Sequence, residues 1–338
     1  MTSKEISMPH ITFLVGEDCM SSGISGLLDT FSVANLWNQA LTQDETPLFH
    51  TQVVSVDGKP VESQGCIVIR PHGSLAEMGP TDIILIPPFL GSEVPESWKA
   101  ILPWIREQYQ AGIPIGAMCT GTFILAETGL LDGRMATTNC QFGNWFKKRY
   151  PTVKLHLEEM LTEDAGLLCA GAATAAFSLG LHLIERHGSP RLTALVAKAL
   201  LVDPARVRQS PYMIYVGPKN HGDPEVLAAQ TYMENHFSTP MSMDDVAGHV
   251  CLSSRHFKRR FRKATGDSPL VYLQKIRIET AKKKLETTLD TINEITWQIG
   301  YEDSSTFRRL FKKHTNVSPR EYRDRFMGAN TRMALRSA

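Results

Sequence analysis

The sequence predicts two joined folds: an α/β sandwich around a parallel sheet, then an all-α domain with two helix-turn-helix units. Three observations point there. A supersecondary unit is written twice near the C terminus, and short Ile- and Val-rich runs alternate with helical stretches in the first two-thirds of the chain. The third is charge: 36 Lys+Arg against 35 Asp+Glu over 338 residues is near balance, but the balance hides two oppositely charged parts.

The apolar runs at 11–15, 51–56, 82–87 and 113–118 show no polar alternation, and helical stretches at 25–39 and 95–111 separate them. Strands that are apolar on both sides belong in a parallel sheet with helices on both faces. Two further apolar helical stretches, 170–186 and 190–201, close this domain, expected over residues 8–205. Their exposed faces, or the helices beside residue 119, are candidates for a homodimer interface. Residues 206–223 are polar and contain Pro211, Gly217, Pro218 and Gly222, the composition of an extended linker. A helix at 224–237 opens the second domain, expected over 224–328 and followed by a tail at 329–338.

Within that domain HFKRRFRKATGDSPLVYL, starting at His256, recurs fifty residues later as TFRRLFKKHTNVSPREYR, starting at Thr306, with eight of eighteen positions identical. Upstream of a turn the offset is forty-nine, so Val246, Ala247 and Val250 fall opposite Ile295, Thr296 and Ile299. A capping-box pattern beginning at Ser242 falls opposite one beginning at Thr291. Each copy reads as helix, tight turn, helix, with N-cap serines expected at Ser254 and Ser304. Phe257 and Phe261, like Phe307 and Phe311, are four apart and share one face of the second helix. At about 100° per residue, Arg255 and Arg259 project from the other face, flanked by Lys258 and Arg262. Ser305, Arg309, Arg308 and Lys312 take the same places in the second copy.

An apolar inner face under a cationic outer one is what a helix needs to enter a major groove. There arginine can donate a bidentate pair to guanine while neighbouring cations hold phosphates. Ordinary helical hairpins with solvated charges are the alternative, and the charge distribution argues against them. Residues 241–338 hold 20 Lys+Arg against 11 Asp+Glu, a net of +9, which leaves 16 against 24, or −8, for residues 1–240. A basic module is joined to an acidic one.

With both turns, both aromatic pairs and the ending Asn316-Val-Ser-Pro-Arg-Glu-Tyr322, the C-terminal hundred residues resemble the DNA-binding domain of the AraC/XylS family. The resemblance implies two helix-turn-helix units joined by a long helix at 269–288. It also implies that the helices starting near Ser254 and Ser304 enter successive major-groove segments of double-stranded DNA. Carried over by motif position, Arg255, Lys258 and Arg259, with Ser305, Thr306 and Arg309, are the residues expected to reach base edges. One chain can then engage two groove segments, and a dimer a repeat of such sites.

In the first domain the run Ile115-Gly-Ala-Met-Cys119-Thr-Gly-Thr122 reads as a strand turning into a helix. Small neighbours permit a strained turn that lifts a nucleophile to the sheet edge, and a helix N-terminus lowers a thiol pKa. A buried cysteine in a tight βα turn satisfies the same residues. From Gly116 through Thr122, and on through the segments 125–134 and 136–138, the chain is similar to DJ-1/PfpI domains of the class I glutamine amidotransferase-like superfamily. The fused form it resembles is that of the GlxA-like regulators. Catalytic relatives commonly back the elbow cysteine with a histidine after the next strand, where this chain has Thr138-Asn139-Cys140, and with an acid at the position of Gly23. Without a general base Cys119 lacks a partner for proton transfer, so a wall of a ligand pocket is its expected role and no catalytic residue is assigned.

Ligands of open α/β sheets bind beyond the carboxyl ends of the strands, which here supply Glu17, Asp18, Phe89, Cys119 and Thr120. Amides at the Thr120 helix start favour a carboxylate, and Glu17 and Asp18 with Phe89 favour a cation; the two acids also fit an ordinary loop. The resemblance implies a small amino-acid or quaternary-amine effector, RNA polymerase as a partner, and activation of transcription as the mode. The competing class is a cysteine-dependent amidase, hydratase or glyoxalase-like enzyme fused to a DNA-binding domain. Six cysteines without a CxxC pair or metal-ligand spacing fit a reduced cytoplasmic protein, with no metal or other cofactor expected. No apolar run approaches the length of a membrane span.

Overall fold

The computed structural model describes residues 8–91, 93–329, 331, 333 and 334; the first seven residues and the end of the expected tail lie outside the described residues. Two compact units meet in the chain between Gln209 and Ser210. The first runs β1 (His10–Leu14), α1 (Ser21–Thr42), β2 (His50–Ser55), the hairpin β3 (Val61–Ser63) and β4 (Ile67–Ile69), β5 (Gly73–Ser74) and β6 (Ile83–Ile86). It continues through α2 (Glu96–Lys99), α3 (Leu102–Gln110), β7 (Ile115–Met118), α4 (Gly121–Glu127), β8 (Met135–Ala136), α5 (Gly143–Arg149) and β9 (Lys154–Leu155). The antiparallel pair β10 (Leu161–Asp164) and β11 (Leu167–Ala170), then α6 (Ala176–His187) and α7 (Pro190–Ala199), complete it.

Seven strands form one sheet in the order β10-β11-β7-β6-β1-β2-β5. Every pairing is parallel except that of β10 with β11, so the sheet is mixed at that edge. Every residue of β6, β7 and β11 is buried, the burial pattern of strands covered on both faces. Helices α1, α6 and α7 pack as one group and α2, α3 and α4 as another.

Two expected helices differ in the structure. The stretch 95–111 is two helices, because Pro103 lies in the first turn of α3, where its ring and missing N–H end the hydrogen-bond ladder of the preceding helix. Within 170–186 the helix begins only at Ala176, while Ala170 ends a strand. The small apolar residues there suit either structure, and pairing with β7 on one side and β10 on the other decides for strand.

The second unit is helical: α8 (Pro224–His236), α9 (Met243–His249), α10 (Ser254–Thr265), α11 (Pro269–Thr287), α12 (Ile292–Gln298), α13 (Ser304–Thr315) and α14 (Pro319–Phe326). It has two cores. One gathers Val226, Met233, Val246, Phe257, Phe261 and Tyr272; the other gathers Ile278, Leu285, Ile295, Phe307, Phe311 and Tyr322. Helix α11 contributes to both, which makes it the spine of the duplication.

The duplication extends to the backbone. Ser242 with Asp245 and Thr291 with Glu294 form the two capping boxes. Each turn passes through one left-handed residue, Cys251 (φ 55°) in the first copy and Gly300 (φ 82°) in the second. A side chain at Gly300 would meet the Phe237 carbonyl at 2.8 Å, so glycine is required there. The recognition helices begin at Ser254 and Ser304, but their caps lie one residue earlier than expected, at Ser253 and Asp303. Both capping residues are in extended conformation, which places them outside the helix, as an N-cap must be.

The segment 206–223 is anchored rather than free. Gln209 is buried in the first unit, and Tyr215 packs against the first core of the second.

Candidate DNA interface and candidate sensor site

In α10 the inner face holds Phe257 and Phe261, with no exposed surface, while Arg255, Lys258, Arg259 and Arg262 are exposed. In α13 Phe307 and Phe311 are equally buried, Ser305, Arg308, Arg309 and Lys312 are exposed, and Thr306 is half-buried. Among the described residues, Arg255, Lys258, Arg259, Arg308 and Arg309 make no ion pair.

Several cations placed elsewhere on the unit are tied to acids. Arg260, next to Arg259, donates through Nε to Asp223 at 2.6 Å and pairs through Nη2 with Glu225. Its counterpart in the second copy is the buried Leu310, so the position belongs to the inner face in both. Lys275 holds Asp267 at 2.8 Å. The outer faces of α10 and α13 therefore keep their guanidinium groups available to phosphates and base edges. At the start of α13 the Asp303 carboxylate accepts from the backbone N–H groups of Ser305 (3.1 Å) and Thr306 (2.7 Å), which fixes the first turn that carries them.

In the first unit, Cys119 joins β7 to α4 with φ 56°, the strained elbow that the small residues around it permit. A side chain at Gly121 would approach the Pro87 carbonyl oxygen to 2.6 Å, so the elbow needs glycine at that place. Asn139 lies in the Thr138-Asn139-Cys140 segment that carries no histidine, and its Nδ2 donates to Cys119 Sγ at 3.5 Å. Thr138 Oγ1 donates to the Cys119 carbonyl at 2.7 Å. Gly23 packs so closely on Pro88 that a Cβ would lie 2.6 Å from its ring.

Burial pushes the Cys119 thiol up, against the pull of Asn139 and of the Thr120 and Ala173 N–H groups. This corrects the expectation that the helix N-terminus lowers the thiol: the sulfur is almost wholly enclosed, and desolvation of the thiolate outweighs the donors.

The five residues expected at the ligand site divide. Phe89, Cys119 and Thr120 are buried together; the Phe89 N–H donates to Thr120 Oγ1 at 2.9 Å, and that hydroxyl donates to the Phe89 carbonyl. Glu17 and Asp18 are exposed on the loop after β1, and an antiparallel bridge between Cys19 and Phe89 holds that loop to the elbow. Asp18 accepts from Gln64 Nε2 at 3.0 Å, and the Glu17 carbonyl accepts from the Trp98 indole at 3.2 Å. Two open clefts of about 570 and 400 Å³ lie in the second unit, and neither adjoins Cys119.

Sequence reasoning missed Gln209 and Trp98. Gln209 clamps the turn that carries Asn139, with Nε2 donating to Thr137 Oγ1 (3.1 Å) and to the carbonyls of Thr138 and Glu159 (both 2.9 Å). Nothing local to Gln209 in the sequence signals this role, since its partners are 50 to 72 residues away. Among the described residues no three His, Cys, Asp or Glu side chains gather to hold a metal ion. No described helix is long and apolar enough to cross a membrane.

Comparison with known proteins gives two family matches. The DJ-1/PfpI family matches residues 13–186, and a helix-turn-helix domain matches residues 246–325. The chain is 26% identical to the HTH-type transcriptional regulator CdhR of Pseudomonas aeruginosa, covering 82% of both chains. It is 24% identical to the HTH-type transcriptional regulator GbdR of the same species, covering 88% of this chain and 82% of that one. Among solved structures, an AraC family transcriptional regulator from Pseudomonas putida aligns with a TM-score of 0.49 and 21% identity, covering 57% of this chain and 99% of that one.

Proposed function

We infer the function from one premise: this chain belongs to the DJ-1/PfpI family and is an AraC-family transcription regulator, with its DJ-1/PfpI domain ahead of its helix-turn-helix domain. It binds DNA. The finer reading proposed is an activator that acts in the cytoplasm as a homodimer, engages RNA polymerase, and responds to a small amino acid or quaternary amine held without catalysis in the first domain.

The observation that carries the DNA reading is the pair of exposed arginine faces over buried phenylalanine faces on α10 and α13. Arg255, Lys258 and Arg259, with Ser305, Thr306 and Arg309, are assigned to base edges, and Arg262, Arg308 and Lys312 to phosphates. Asn139 in a segment without histidine, together with the raised Cys119 thiol, supports a sensing rather than a catalytic first domain. Because Phe89 and Thr120 are closed over one another, an effector enters from the side of Glu17 and Asp18 and displaces the loop that carries them.

The test is a thermal-shift screen of the full chain against amino acids, betaines and polyamines, with wild type and Cys119→Ala in parallel. A stabilisation common to both proteins supports non-covalent sensing. A response lost in Cys119→Ala, accompanied by turnover of the compound, would move the assignment to a cysteine enzyme.

A further inference from the structure

The segment between the two folded cores is bound at both of its ends to groups that the proposed function uses. At one end Gln209 fills a space so tight that a side chain on Gly171 would meet its amide nitrogen at 2.0 Å. Its backbone N–H donates to the Glu158 carbonyl at 2.8 Å, and its side-chain oxygen accepts from the Cys140 N–H at 3.4 Å. Gln209 thus grips the turn 137–140 from behind, and the other side of that turn delivers Asn139 to the Cys119 sulfur.

The second unit begins with the next residue. A short helical turn, Ser210–Tyr212, packs against α13, and the Tyr212 ring stands 5.3 Å from Phe326 of the second core. The Met213 carbonyl accepts from Lys282 Nζ at 2.6 Å, and the Tyr215 N–H donates to Glu279 Oε2 at 3.2 Å. Tyr215 then reaches the first core, edge-on to Tyr272 at 6.0 Å, and a side chain at Gly217 would meet the Tyr272 hydroxyl oxygen at 2.3 Å. Nine residues therefore run from the Asn139 turn across both helix-turn-helix cores.

The latch on α11 is chemically specific. The Lys282 and Glu279 side chains are only 7% and 14% exposed, and their charged groups lie 3.3 Å apart. Taking such a pair out of water costs more than packing apolar side chains there, and what it gives in return is a single acceptable register for the strap. The same helix carries both cores, so a strap that slips changes how α10 and α13 are held.

We propose that residues 209–217 are the transmission element of this regulator: movement of the Asn139 turn passes through Gln209 to the Lys282 latch and so to the spacing of the two recognition helices. The direction of signalling rests on the reading that the effector acts beside Cys119; the mechanical coupling does not.

Hydrogen–deuterium exchange on the full chain tests the coupling without a ligand. Lys282→Met and Gln209→Ala are each compared with wild type, with and without a flexible Gly-Ser-Gly insertion between residues 209 and 210. Lys282→Met is expected to speed exchange by about tenfold at Tyr215 and also at Gln209 and Cys140 in the other unit, where alone the insertion abolishes the effect. Gln209→Ala is expected to do the reverse, loosening Tyr215. Changes confined to the mutated unit, or cross-effects that survive the insertion, overturn the proposal. If Gln209→Ala fails to fold, Lys282→Met decides alone, since its substitution lies outside the unit being read. A thermal-shift screen that finds no effector would sink the sensing function while leaving the exchange result standing.

Discussion

Arg259 and Arg260 are neighbours in sequence with opposite surroundings, and replacing each in turn tests the assignment of the DNA-facing surface. Arg259 is exposed and unpaired, whereas Arg260 is held by Asp223, the N-cap of α8, and by Glu225. If Arg259 forms a bidentate pair with guanine, Arg259→Ala loses about 1–3 kcal/mol for the preferred duplex, about 5- to 150-fold in affinity. Binding to an unrelated duplex changes little, and so does the melting temperature. Arg260→Leu copies the residue of the second repeat at that place, but leaves two carboxylates without their partner; it lowers the melting temperature and leaves the preference among bases unchanged. Lys312→Ala provides the third comparison: it weakens all sequences alike and reduces the slope of log affinity against log salt by about 1. Duplexes enriched from a random pool by the full chain, followed by fluorescence anisotropy between 50 and 200 mM salt, supply the numbers. The reasoning is refuted if Arg260→Leu shifts base preference as much as Arg259→Ala while the protein melts normally.

Three further outcomes follow from the cores and the elbow. Phe311→Ala empties a fully buried site in the second helical core and is expected to cost about 3–5 kcal/mol, read as a lower urea midpoint of the helical unit in the full chain. Because burial raises the Cys119 thiol, its thiolate fills only as pH passes that raised value; iodoacetamide labelling should be slow near neutrality and still climbing where an ordinary thiol has levelled off. Asn139→His, which puts a base beside the sulfur, should speed neutral-pH labelling by about tenfold, the effect of one unit in thiol pKa; an unchanged rate would mean that the ring does not reach Sγ. Burial works to raise the Glu127 carboxyl, but hydrogen bonds from Tyr150 and Arg149 outweigh it and hold the group below its ordinary value of 4.5. Its stabilisation is therefore present above pH 4.5 and fades as pH falls through the lower folded value, so Glu127→Gln should melt earlier at pH 7 and converge with wild type in acid.

The order of elements in the helical unit was legible because its signals are local. Capping boxes at Ser242 and Thr291, paired phenylalanines four residues apart and left-handed turn residues act over one or two helical turns, a range that periodicity reads directly. The elbow at Cys119 was legible from its small residues for the same reason. The cap positions slipped by one, since Ser253 and Ser254, like Asp303 and Ser304, are all competent caps and only backbone dihedrals separate them. Ala170 was read as the start of a helix because small apolar side chains suit both structures, and its place in a strand came from partners in β7 and β10.

What the sequence by itself determined is the duplicated, cationic DNA-binding unit behind an α/β domain, together with the absence of histidine from Thr138-Asn139-Cys140. Only the tertiary structure decided which arginines are free of ion pairs among the described residues, how the Cys119 thiol is tuned, and that Gln209 and Lys282 both hold one strap. Those properties depend on partners up to 72 residues distant and on how much water the fold excludes, and neither is written in the spacing of neighbouring residues.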